Sequence, residues 1–355
     1  MNEIPRLLSE AELDRALADL HAGRSTGEDG LPELRARLMA QIKGEDPMAK
    51  KTKRYWFAAA AAVAVLVTGA LLAQTSSIGG SKPVASAAAA VLNGAANITT
   101  GANDEPIKPG QFRYTKTHAW WMASGDFSKG DPYAFRAENL LQQWVPTTES
   151  DDWLWRRAVT GNREWVIGTE EKGQAAGILK TPGWPTGEWK EPYGDWWATE
   201  KNRPAKPQEP RWAWPTPAFQ DSLPKDPQAM FDRLRKDTAG KGRTPDAEML
   251  VYAKDALITG LVRADVRATL YRALAMVPGL TVTEGVVTLD GRSGTALGIS
   301  DGDQRQEIVI DPKTGAFIGD RSVAESGTYV PKGTVTTTTS VESAVVDKLG
   351  QVPGK

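Results

Sequence analysis

The 355-residue chain contains no cysteine and only two histidines, His21 and His118. The first absence excludes disulfides, a lipid-modified cysteine, CxxC redox chemistry and thiolate zinc sites. Such a chain must be held by its core alone, which is feasible at this size. With no second histidine near His118 in the long C-terminal part, a transition-metal site or a histidine-based nucleophile system lacks its components. An excess of charge of one sign is also missing: 43 Lys and Arg stand against 44 Asp and Glu. Nucleic-acid binding therefore has no electrostatic footprint. Adjacent acids such as Asp151-Asp152 and Glu170-Glu171 would diverge on a strand or loop and read as solvated charges. Gly291, Gly294 and Gly298 follow a hairpin pattern and do not open a helix after a strand, so no phosphate cradle is indicated. Asp301-Gly302-Asp303 lacks the remaining ligands of a calcium loop. No cofactor and no catalytic residue are expected.

Long apolar runs are scarce too, with one exception. Trp56 to Ala73 is uninterrupted, and at about 1.5 Å per residue it spans roughly 27 Å as a helix, close to the hydrocarbon thickness of a bilayer. Alanines fill eight of its eighteen positions. Trp56, Phe57, Val63, Leu66, Leu71 and Leu72 therefore carry the expected membrane-spanning character. The cluster Lys50, Lys51, Lys53 and Arg54 precedes the run, and no opposing cation follows until Lys82. This asymmetry sets the expected topology: residues 1–54 cytoplasmic, 55–74 a transmembrane helix, and the remainder outside the cytoplasm. A cleaved signal peptide would have a short leading region, whereas about fifty residues come first here.

Ser9 and Glu12 form a capping-box pattern ahead of Leu13, Leu17 and Leu20, and Pro32 precedes Leu34, Leu38 and Ile42 at helical spacing. Two helices this short cannot bury their apolar stripes alone. Those six residues are the candidate surface for a cytoplasmic protein partner.

Residues 75–104 read as a linker and an amphipathic helix carrying Val84, Ala88, Val91, Leu92 and Ala95. From Gln111 the period becomes two, with Phe112, Tyr114, Lys116, His118 and Trp120 sharing one side of a strand. LLQQWVP, WLWRRAVTG and REWVIGT are further strand-like runs. Residues 171–225 form an irregular insertion rich in Trp and Pro. Twelve of the thirteen tryptophans fall between Trp120 and Trp214, so aromatic packing, a ligand platform or contact with the membrane surface are all open to them. Trp120, Trp184, Trp189, Trp196 and Trp197 are the platform candidates. Helices return after Asp226-Pro227, after Thr244-Pro245 and over 262–277. Five period-two runs then close the chain, with turns at Asp290-Gly291, Asp301-Gly302 and Asp311 to Gly315. The expected fold class is α+β: short cytoplasmic helices, one transmembrane helix, and over residues 105–355 an extracytoplasmic curved antiparallel sheet covered by helices.

The runs VRATLYRALAMVPGLTV, LDGRSGTALGI and EIVIDPKTGAFIGDRSV, with a late Gly-Thr-Val strand ending in Ala-Val-Val-Asp, resemble an uncharacterised actinobacterial family of single-pass membrane proteins. The resemblance covers essentially the whole chain. It implies a cytoplasmic tail, one span and an external domain, often encoded beside an extracytoplasmic-function sigma factor. The order of elements also resembles the half-barrel of periplasmic lipoprotein carriers and sigma-regulating sensor domains. The His and two Cys of zinc-type anti-sigma domains are absent, so sigma binding would be zinc-free. The expected function is a non-enzymatic membrane sensor or regulator. Its external domain would bind an envelope ligand, with an apolar one among the expected partners, and its cytoplasmic segment would hold a protein such as a sigma factor. The alternative is a membrane-tethered carrier of lipid or lipoprotein.

Overall fold

The computed structural model describes residues 86–101, 107–126, 130–180 and 185–354. The two expected cytoplasmic helices, the apolar run with its basic flank, and Trp184 lie outside the described residues. Among the described residues nine strands form one antiparallel sheet in the order β4-β3-β2-β1-β9-β8-β7-β6-β5. The first meander comprises β1 (Phe112–Asp126), β2 (Pro132–Pro146), β3 (Asp152–Ile167) and β4 (Gly187–Pro192). The second comprises β5 (Thr281–Val287), β6 (Ser293–Ser300), β7 (Gln304–Ile310), β8 (Phe317–Ala324) and β9 (Val335–Val346). They join where β1 pairs with β9 from Phe112↔Val346 to Trp121↔Thr337.

Among the described residues six α-helices accompany the sheet: α1 (Ala87–Gly101), α2 (Glu170–Ala175), α3 (Pro217–Ser222), α4 (Pro227–Asp237), α5 (Pro245–Leu257) and α6 (Ala264–Leu274). Three of them begin alike. Thr216, Asp226 and Thr244 each accept a hydrogen bond from a first-turn N–H and are each followed by proline, whose missing N–H costs nothing at that position. Leu92, Met230, Leu234, Leu250, Leu270 and Leu274 are fully or almost fully buried, and they meet Leu297, Ile308 and Ile310 of β6 and β7 in one core.

This arrangement corrects the expected architecture. No helix among the described residues is long and apolar enough to cross a membrane, and the expected span at 55–74 lies outside them. The helical core meets the sheet at β6 and β7, while β3 and β4 are covered by an irregular aromatic segment. The expected half-barrel-like sheet covered by helices is therefore not what forms; the nine-stranded antiparallel sheet dominates, with a few helices. The physical reason lies in the first meander, whose three leading strands are 15, 15 and 16 residues long and gain a fourth strand from within the insertion.

The sheet also curls. The turn between β5 and β6 belongs to its far end, yet Asp290 reaches Lys116 and His118 of β1, and Arg292 Nη1 donates to the Val341 carbonyl of β9 at 3.1 Å. Between them β8 and β9 pair only from Arg321↔Thr338 to Val323↔Val335, so the two strands are not laddered beyond Thr338.

Candidate functional site

A cleft of about 660 Å³ lies where β8 and β9 separate. Its size falls within the range of small-molecule sites. One wall is the sheet, through Arg113, Val145, Val341 and Ser343. The opposite wall is the chain from Trp214 to Gln220, that from Leu257 to Arg263, and Arg267 of α6.

Gln220 builds the second wall. Its side chain is almost wholly buried, Nε2 donates to the carbonyls of Pro215 (2.7 Å) and Leu261 (3.1 Å), and Oε1 accepts from the Arg263 N–H (2.9 Å). One amide thus ties the loop before α3 to the loop before α6. The second loop is then docked on the sheet: Thr115 Oγ1 donates to the Thr259 carbonyl at 3.1 Å. Gly260 lies beside that bond with φ 69°, where a Cβ would come within 2.5 Å of Thr115 Oγ1. A side chain at that position would force the wall off the strand.

Trp153 and Trp214 close one end, stacked with ring centroids 5.3 Å apart and planes 12° from parallel. Gly194 permits the stack, because a Cβ there would lie 2.6 Å from the Trp214 ring. Behind them, Trp155 contacts Trp189 (4.8 Å), Trp196 (5.7 Å) and Trp197 (6.4 Å). Asp195 fixes this segment: the Arg203 guanidinium grips both carboxylate oxygens, and the Lys206 N–H adds a bond at 3.2 Å. The Arg203 bonds outweigh the effect of burial and bring the Asp195 carboxyl down to about 2.

The platform candidates divide accordingly. Trp189, Trp196 and Trp197 are half-buried and packed on one another behind the cleft. Trp120 lies elsewhere, under the Arg136 guanidinium at 6.0 Å. Of the cleft's own residues, Trp153 and Trp214 were among the twelve clustered tryptophans but not singled out as platform candidates, and Arg113 and Arg267 were not candidates at all. The alternation WLW at 153–155 was a usable signal, since it puts two tryptophans on one face of a strand.

A second group of ionisable residues occupies the opposite face of β1. His118 Nδ1 lies 2.7 Å from Asp290 Oδ1, and Nε2 lies 2.8 Å from Glu138 Oε1. Both contacts are hydrogen bonds with the ring as donor only when both nitrogens carry protons. Thr160 and Asn162 also donate to Glu138, and the Thr160 bond leads in holding its carboxyl below the usual range. Burial works against ionising Asp290, but bonds from His118 and Lys116 prevail and lower it. On the helix-facing side of the sheet, burial pushes Asp320 upward despite the nearby Lys254 ammonium of α5 and the Thr339 hydroxyl. Among the described residues no group of His, Asp and Glu is arranged to hold a metal ion.

No protein-family model matches the chain, and no curated protein matches it.

Proposed function

We propose that the described sheet domain is the ligand-binding part of a non-enzymatic, membrane-tethered regulator, with the cleft between β8 and β9 as its binding site. The observation that carries this reading is the cleft itself, a cavity of mixed aromatic, aliphatic and polar lining whose wall is held by a buried glutamine. Gln220 and Thr216 are engaged in building the wall, as expected of a largely preformed site. The run 56–73 and its basic flank support the tether, and the apolar stripes through Leu17 and Leu38 support a cytoplasmic partner such as a sigma factor.

Val341→Trp fills the cleft from the sheet wall without touching the tail. In the native cell it should cause the same regulatory defect as deletion of residues 2–45, scored by transcript profiling. A profile unchanged by both alterations rejects the regulator. The carrier reading draws on the same apolar lining; it gains if the protein moves a labelled amphiphile between vesicles and Val341→Trp abolishes the transfer.

A further inference from the structure

His118 on β1 stands between carboxylates from two other elements, Asp290 of the β5–β6 turn at 2.7 Å from Nδ1 and Glu138 of β2 at 2.8 Å from Nε2. Among the described residues, β1 adds Lys116, whose Nζ lies 3.2 Å from Asp290 and 3.9 Å from Glu342 of β9. β3 contributes the neutral donors Thr160 and Asn162, both bonded to Glu138. Arg136, beside Glu138 on the same face of β2, is already paired with Glu164 of β3. With the ring neutral, three carboxylates stand against the Lys116 ammonium, and one ring nitrogen turns a lone pair toward a carboxylate oxygen. With the ring protonated, both nitrogens donate charge-assisted bonds and the excess of negative charge falls by one. The turn reaches the cleft as well: Arg292 Nη1 donates to the carbonyl of Val341, a lining residue, and the Ser340 hydroxyl donates to that of Thr288 at 3.3 Å.

From this juxtaposition we infer that His118 is a pH-sensitive clasp: its protonated ring locks the β5–β6 turn onto β1 and β2, and loss of one proton releases the Asp290 contact and loosens the β9 edge of the cleft. Asp290 is the contact that yields because it sits on a turn, whereas Glu138 belongs to a strand paired on both sides and keeps its bonds from Thr160 and Asn162. The clasp operates whether the cleft is filled or empty. Thr160 leads the donors that hold the Glu138 carboxyl below its usual range, and at Asp290 bonds from His118 and Lys116 prevail over the opposing effect of burial. Both carboxylates therefore stay charged around neutral pH. The clasp is complete where the imidazole is protonated and weakens as the pH rises through the range in which histidine loses its charge.

The test is hydrogen–deuterium exchange on the full-length protein in detergent micelles, read by mass spectrometry at about pH 6 and about pH 8.5, on either side of histidine's usual range. Rates are corrected for the intrinsic pH dependence of amide exchange. In the parent, protection of residues 284–295 should fall about tenfold at the higher pH, the effect of one bond between charged groups on a local opening equilibrium. Protection of residues 339–344 should fall with it, while that of α6 stays constant. Asp290→Asn keeps the shape of the turn residue, and its amide can pair with either form of the ring, so its protection should be the same at both pH values. His118→Gln should also lose the response. Melting curves of both variants are compared first, and the asparagine variant keeps the test decisive if the glutamine variant fails to fold. A response of equal size in the parent and in Asp290→Asn, or parent protection of 284–295 that is the same at both pH values, overturns the clasp. A response confined to 284–295 overturns its coupling to the cleft edge.

Discussion

Asp195 shows how much of the aromatic wall depends on one side chain. It is buried, Arg203 and the Lys206 N–H occupy its oxygens, and the segment it holds carries Trp196 and Trp197. Asp195→Ala should cost about 1–3 kcal/mol, the usual penalty for leaving buried partners unpaired, as measured by urea denaturation. It should also alter tryptophan fluorescence. The acid dependence has a definite sign. Because the folded carboxyl titrates at about 2, below its ordinary value of 3.8, its stabilisation is complete above that ordinary value and is lost as the pH falls toward 2. The alanine variant should therefore show a weaker loss of stability than the parent between pH 4 and about 2. A parallel pair of curves would contradict this role. At this scale the sequence was partly legible. A concentration of tryptophans in 171–225 marked an aromatic feature, but Trp214 meets Trp153 through a fold-back that no local periodicity encodes. Gln220 was silent for the same reason: its three partners come from two loops brought together only in the folded chain.

Among the elements, helix boundaries were the most legible. Asp226-Pro227 and Thr244-Pro245 announce α4 and α5 because an oxygen acceptor followed by proline suits only a helix start. Thr216-Pro217 follows the same rule, yet it was hidden in a stretch crowded with prolines. β4 was hidden likewise, as a short edge strand ending at Pro192. β3 was read as two strands, WLWRRAVTG and REWVIGT, because Gly161 breaks the run. The strand continues through it instead, with Gly161 at φ 93° and a register shift against β2 between Ala137 and Asn139 that absorbs the irregularity. The helix over 262–277 was the clearest in the sequence, and α6 does bury Leu270 completely. Leu270→Asp places an unpaired charge in that core and should cost about 3–5 kcal/mol, enough to unfold a marginal domain. Chemical denaturation followed by both tryptophan fluorescence and far-UV circular dichroism should show one shifted transition. Two transitions, with only one displaced, would mean that the helical core and the tryptophan-rich meander unfold independently.

For the whole molecule, nine strands close toward each other because the β5–β6 turn crosses to β1 and β9. Asp290, fixed by Lys116 and His118, and Arg292, bonded to Val341, hold that turn beside the place where β8 and β9 part. The cleft is thus a consequence of topology: a sheet long enough to curl, an incomplete ladder within it, and loops tied by Gln220 as the facing wall. A curved antiparallel sheet was expected from the period-two runs, but the incomplete ladder and the facing loops were not legible beforehand, since register arises from pairings between distant segments. The expectation of a helix-covered half-barrel failed at this scale even though many individual strands were visible. The central claim is that the cleft binds a ligand, and photo-crosslinking tests it most directly. Full-length protein in membranes is irradiated with a diazirine-bearing fatty acid and the adducts are mapped by mass spectrometry. Saturable labelling of residues 145–153, 214–220, 257–267 and 341–344, displaced by excess unlabelled fatty acid, is the predicted result; labelling confined to other segments, or labelling that excess ligand fails to displace, would contradict it.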